Sequence, residues 1–202
     1  MDLFGNIPTL NCLPYDGEAL YYGPILNAKE AKFYFECLDH SIAWKNDESI
    51  IFGKRIVMER KVALYAQKAL TYTYAGIQRQ ALPWTPELLE LKNRVEAKHG
   101  QSFNSCLLNY YPSGKHGMSW HADDEKELKE HGAIASLSLG AQRDFLFKHR
   151  KTKEKAKVFL ENGSLLVMQG VIQKHWLHAL PKRMRVDRPR INLTFRNLGF
   201  LD

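Results

Sequence analysis

Arg190-Ile191-Asn192-Leu193-Thr194-Phe195-Arg196 alternates without a break between polar and apolar side chains. A period of two is the signature of a β-strand, in which residues i and i+2 share a face. Ile191, Leu193 and Phe195 therefore point to a core, and Arg190, Asn192, Thr194 and Arg196 to the other side. A solvated strand face tolerates two arginines, but two guanidinium forks on either side of an amide also make a cradle for a small dicarboxylate.

The same period recurs upstream, in Cys106-Leu107-Leu108-Asn109-Tyr110-Tyr111, from Ile134 to Leu139, in Phe145-Leu146-Phe147 and from Ser164 to Met168. Asn109 and Tyr111 share one face of their strand and bring an amide and a phenol. Two helices precede these strands. Asn27 with Glu30 three residues on predicts a helix running to about His40. Thr85-Pro86-Glu87 predicts a second, with Leu88, Leu91 and Val95 as its buried stripe and Gly100 as its stop. Residues 1–26, interrupted by Pro8, Pro14 and Pro24, read as loop-rich. Together these features predict an α+β, mainly β domain: a β-sandwich or jelly roll with two helices packed on one sheet.

No repeat or Gly/Ser linker divides the 202 residues, so one domain is expected over 1–202. Cys12, Cys37 and Cys106 lack C-x-x-C spacing, and an odd number of distant thiols argues against an oxidised scaffold. There is no signal peptide pattern and no stretch near the ~20 apolar residues of a spanning helix, so an intracellular, soluble monomer without membrane contact is expected. Lys and Arg number 29 against 22 acids, a net +7 that favours an anionic partner. The surplus gathers in Lys148–Lys157, with Arg150, Lys151 and Lys153, and in Lys182-Arg183-Met184-Arg185 with Arg188. Both clusters fall between predicted strands, where loops can reach a phosphate backbone.

Trp120-His121-Ala122-Asp123 adds the metal chemistry. On a strand, His121 and Asp123 project together, and one more imidazole would complete the facial triad of a non-haem Fe(II) enzyme. His175 and His178 are the candidates, and only one of them can serve.

His121-x-Asp123, His178 and Arg190-x-Asn192-x-Thr194-Phe195-Arg196 resemble the signature of the AlkB family of Fe(II)/2-oxoglutarate nucleic-acid dealkylases. The likeness runs from about residue 50 to 197 and is strongest to the family's duplex-DNA repair branch. It implies a double-stranded β-helix over about 101–198, preceded over about 1–100 by an N-terminal extension, the helices and a nucleotide-recognition hairpin region. It selects His178 over His175 and implies iron on His121, Asp123 and His178. It also implies 2-oxoglutarate on Asn109, Tyr111, Arg190, Asn192, Thr194 and Arg196, with Arg190 on the distal carboxylate and O2 as cosubstrate.

The implied reaction is oxidative demethylation of 1-methyladenine and 3-methylcytosine in alkylated, double-stranded DNA, with base flipping and release of formaldehyde, succinate and CO2. Phe52, in Ser49-Ile50-Ile51-Phe52-Gly53-Lys54, would then fill the gap left by the flipped base, with Lys54 on a phosphate. By periodicity alone that Phe would face the core. Tyr72 and Tyr74 would line the base pocket, and the carboxylates of Asp124 and Glu125 would attract a cationic lesion. The rival readings are an iron oxygenase acting on RNA or a protein side chain, and a non-catalytic DNA-binding module. The compartment would be the cytoplasm in a bacterium and the nucleus in a eukaryote.

Overall fold

A computed structural model describes residues 9–51, 54–68, 71–74 and 77–199. Along the chain run β1 (Leu10–Asn11), β2 (Glu18–Pro24), α1 (Ala28–Ser41), β3 (Lys45–Ile51), β4 (Lys54–Ala66), β5 (Thr71–Tyr74), β6 (Ile77–Gln80), β7 (Leu82–Pro83) and α2 (Pro86–His99). There follow β8 (Ser105–Tyr111), β9 (Met118–His121), β10 (Ile134–Gly140), β11 (Arg143–His149), β12 (Lys155–Leu160), β13 (Ser164–Gln169), the single turn α3 (Ile172–His175), β14 (Trp176–Leu180) and β15 (Arg190–Arg196).

Two sheets, antiparallel throughout except where β7 runs parallel to β4, face each other. The larger has the order β1-β2-β13-β10-β15-β8-β4-β3, with β7 beside β4, and the smaller β12-β11-β14-β9. This is the jelly roll expected, and β5 and β6 form a separate hairpin.

Both helices start where their capping residues dictate. The Asn27 carboxamide accepts the backbone N–H of Lys29 and Glu30 at 3.0 Å, while the Glu30 carboxylate accepts the Asn27 N–H at 2.9 Å. Thr85 accepts the Leu88 N–H at 3.3 Å, and Gly100, at φ +84°, ends α2 in the left-handed conformation a side chain would resist. Ala31, Tyr34 and Leu38 of α1 and Leu88, Leu91 and Val95 of α2 pack in one core with Leu108, Leu137, Leu193 and Phe195 from the larger sheet. A second core, holding Phe147, Leu166, Met168 and Trp176, joins the two sheets at one end.

The segment read as loop-rich contains a strand. Glu18–Pro24 pairs with β13 and covers its edge, with Ala19 wholly buried. Pro14 and Pro24 lie before and at the end of that strand, where a missing N–H costs least. The three cysteines are free thiols, and among the described residues no helix is long and apolar enough to cross a membrane.

Candidate metal centre and cosubstrate pocket

With one face of β15 under the helices, its other face turns toward the smaller sheet and not to water: Arg190, Thr194 and Arg196 are all buried. Burying two guanidinium groups costs several kcal/mol each unless partners or a ligand compensate (~ by Born reasoning moderated by relaxation). The register shows which partners exist. Arg190 lies across from Tyr111 on β8 and Gly140 on β10, Asn192 across from Asn109 and Ser138, and Thr194 across from Leu107 and Ser136.

Arg190 Nη2 donates to Ser138 Oγ at 2.9 Å and to Asn192 Oδ1 at 3.2 Å. Its Nε and Nη1 are buried without any partner. Burial pulls this guanidinium down to about 10, which expresses how poorly its charge is compensated. Asn192 is held in turn by donating to Ser136 Oγ at 3.0 Å. Tyr111 packs its ring 5.5 Å from the Arg190 guanidinium, and Asn109 accepts from Arg60 at 3.2 Å.

His121 and His178 are direct register partners on β9 and β14, which sets their rings 4.2 Å apart. Asp123 departs from the strand reading: β9 ends at His121, and Asp123 enters the site from irregular chain. Two contacts place it. Its N–H donates to Gln173 Oε1 at 3.0 Å, and its carboxylate takes Arg196 Nη2 at 3.2 Å. The two Nε2 atoms each lie 4.0 Å from a carboxylate oxygen of Asp123, and all three ligand atoms fall within 4.8 Å of one another.

Their charge states suit a cation. Burial drives the His178 imidazole down to about 3, so its ring is neutral with a lone pair to give. Burial also opposes ionisation of Asp123, but Arg196 first, then His178 and His121, outweigh it and hold the carboxyl below its ordinary range. His121 Nδ1 lies 2.8 Å from the Ser119 carbonyl and must donate to it, which leaves Nε2 free to ligate. His175, the rejected alternative, sits instead near Asp16 and stacks on His149.

The remaining expected residues divide. Asp124 and Glu125 line a cavity of about 480 Å³ that borders Asp123. Glu125 Oε1 is 3.5 Å from Arg196 Nη1. Arg150 reaches Asp124 at 3.7 Å, and Arg183 is ion-paired with Asp144, so neither is a bare surface charge. Lys151, Lys153, Lys182 and Arg185 are exposed. Only residues 150–154 form the turn of the basic cluster, since Lys148 belongs to β11 and Lys155 and Lys157 to β12. Phe52 lies outside the described residues, as do the side chains of Lys54, Tyr72 and Tyr74. Sequence reasoning missed Arg60, Ser136, Ser138 and Gln173. Ser136-x-Ser138, polar positions alternating with leucines on β10, was a readable sign; Arg60, buried in an ion pair with Asp47, had no local one.

Residues 18–196 match the family model described as the 2OG-Fe(II) oxygenase superfamily, which defines the class. The chain is 43% identical over 156 residues to mouse DNA oxidative demethylase ALKBH2, covering 73% of this chain and 65% of that protein. It is 37% identical over 187 residues to human alpha-ketoglutarate-dependent dioxygenase alkB homolog 3 (88% and 65%), and 32% over 211 residues to the Arabidopsis thaliana DNA oxidative demethylase ALKBH2 (91% and 67%). The chain thus spans a little under two thirds of the two mammalian relatives. The solved structure of OsALKBH1 superposes with a TM-score of 0.59 over 89% of this chain and 96% of that one, at 16% identity, which establishes the shared fold. The chain belongs to the AlkB family of the 2OG-Fe(II) oxygenases.

Fe(II), 2-oxoglutarate and O2 are the cofactor and cosubstrates of that class, and the residues here fit them. Two imidazoles and one carboxylate converge as a facial triad demands, and the unpartnered N–H groups of Arg190 await an anion in the same pocket.

Proposed function

We propose that this protein oxidatively demethylates N-alkylated bases, 1-methyladenine and 3-methylcytosine, in DNA, acting as a monomer on double strands. The observation that carries the reading is the His121–Asp123–His178 cluster beside a buried arginine with two idle N–H groups, next to a cavity lined by Asp124 and Glu125. The names of the relatives support DNA as substrate.

His121, Asp123 and His178 hold the iron. Arg190 grips the distal carboxylate of 2-oxoglutarate, with Tyr111 and Asn192 beside it, while Asn109, Thr194 and Arg196 line the rest of the pocket. When bound, Fe(II) with 2-oxoglutarate and O2 supplies the oxidation: the N-methyl C–H becomes C–OH, 2-oxoglutarate becomes succinate and CO2, and the hydroxymethyl group leaves as formaldehyde. Arg196 keeps Asp123 ionised and oriented. Asp124 and Glu125 favour a methylated, cationic base over its neutral parent. Phe52 and Lys54 belong to the flipping step, Tyr72 and Tyr74 to the base pocket. Arg150, Lys151, Lys153, Lys182, Arg183 and Arg185 face the phosphates. The catalytic jelly roll occupies about 101–198 of a single domain, and the protein works inside the cell, in the compartment that holds its DNA.

Formaldehyde release from a duplex oligonucleotide bearing 3-methylcytosine, dependent on both Fe(II) and 2-oxoglutarate, tests this. Parallel assays on single strands, on methylated RNA and on protein extracts decide the substrate. Turnover of RNA or protein alone would overturn the DNA reading. Salt-dependent binding without loss of 2-oxoglutarate would overturn the enzymatic one.

A further inference from the structure

Gln173, in the one-turn helix α3, supports Asp123. Its Oε1 accepts the Asp123 N–H at 3.0 Å, and this fixes which end of the amide is which. Its Nε2 is therefore a committed donor, and it is buried with no partner. Glu125 shows the complementary feature: Oε1 is 3.5 Å from Arg196 Nη1, and Oε2 is buried with no partner. Both residues line the cavity of about 480 Å³ that borders the metal ligand Asp123. An unpaired buried donor and an unpaired buried acceptor on two residues that line one cavity each cost free energy until a partner satisfies them.

We propose that Gln173 is a specificity-determining residue of this cavity, donating from Nε2 to a ring carbonyl of the lesion while Glu125 accepts from the exocyclic amine. The inference rests on the demethylase reading and adds a ranking of lesions to it. In 3-methylcytosine the methylated nitrogen is flanked by an exocyclic amine on one side and a carbonyl on the other, so both cavity groups are satisfied. In 1-methyladenine it is flanked by the amine and a C–H, so the Gln173 donor stays unpaired. In 3-methylthymine two carbonyls flank it, and the Glu125 acceptor meets a second acceptor.

Gln173→Glu separates the two ends of the amide: it keeps an acceptor for the Asp123 N–H and removes the donor. A second carboxylate attracts both cationic lesions alike, so the quantity to read is a ratio. The ratio of kcat/KM for 3-methylcytosine over 1-methyladenine falls about ten-fold, the value of one hydrogen bond at the upper end of the usual net range. Competition binding of the two modified oligonucleotides to the Mn(II)-loaded protein shows the same shift without turnover. Gln173→Leu also removes the acceptor for Asp123 and additionally weakens Mn(II) binding, which Gln173→Glu leaves within about three-fold. A wild-type protein that acts on both lesions, with a ratio unmoved by Gln173→Glu in both assays, overturns the assignment. A wild type releasing formaldehyde from neither lesion overturns the demethylase reading itself, and this inference with it.

Discussion

Arg190→Met separates the cost of burying a charge from what the charge is buried for. The wild-type guanidinium is 1% exposed and uses Nη2 for Ser138 and Asn192, leaving Nε and Nη1 unpaired. A carboxylate meeting those two N–H groups forms two charge-assisted hydrogen bonds, each worth about 1.5–3 kcal/mol. Their joint loss, about 3–6 kcal/mol, weakens 2-oxoglutarate by about 150- to 20,000-fold at ~1.4 kcal/mol per tenfold.

Arg190→Lys keeps the charge but not the fork, and loses about 10- to 100-fold. Ligand-free stability behaves differently. Methionine removes the desolvated cation but also two hydrogen bonds of ~1 kcal/mol each, so unfolding free energy changes by no more than about 1.5 kcal/mol. Titration calorimetry of 2-oxoglutarate into the Mn(II)-loaded protein, with urea unfolding of the ligand-free protein beside it, measures both quantities. Arg190→Met binding within threefold of wild type would refute the assignment of the anion site. A collapse of ligand-free stability would show that this arginine is a structural ion and not a waiting ligand.

Three further outcomes follow from the same contacts. His178→Ala removes one of three metal ligands and lowers Mn(II) affinity by at least ~100-fold with loss of turnover, read by paramagnetic resonance of bound against free metal, while duplex binding changes less than twofold. Glu30→Gln keeps an acceptor for the Asn27 N–H but removes the charge paired with Arg94 at 2.8 Å; Arg94 first, then the Asn27 N–H, lowers the Glu30 carboxyl below its ordinary value. A depressed folded pKa contributes stability above the unfolded value of about 4.3 and loses it as pH falls through the folded one. The stability gap between wild type and Glu30→Gln in urea titrations is therefore present at pH 7 and closes in acid. Lys151→Ala and Lys153→Ala each reduce the slope of log affinity against log salt for duplex DNA by ~0.9 if each meets one phosphate. An unchanged slope in the double variant would remove the 150–154 turn from the interface.

The parts of this fold that could be read from sequence are those whose cause is local. Asn27 with Glu30, and Thr85 with Pro86 and Gly100, specify helix ends by bonds spanning at most four residues, and both helices form where those residues place them. The alternation of residues 190–196 likewise fixed which side chains share a face, but not what that face meets. It stays dry because β11 and β14 close over it, a fact held in pairings such as Phe147 with His178. For the same reason the strand reading of His121-x-Asp123 holds only as far as His121: the strand stops there, and Asp123 is aimed by Gln173, fifty residues downstream, and by Arg196. Arg60 left no trace in sequence, since its place depends on Asp47 and on Asn109 across β4 and β8. Charge counting erred in the other direction. Arg150 and Arg183 stand in the two basic clusters, yet Asp124 and Asp144 draw on them, so each cluster offers a phosphate less than its formal charge. Arg150 consequently links two surfaces assigned separately. On the proposed function, the phosphate-facing turn and the acid-lined cavity therefore draw on one guanidinium, since Arg150 is 3.7 Å from Asp124 and both residues line the same cavity.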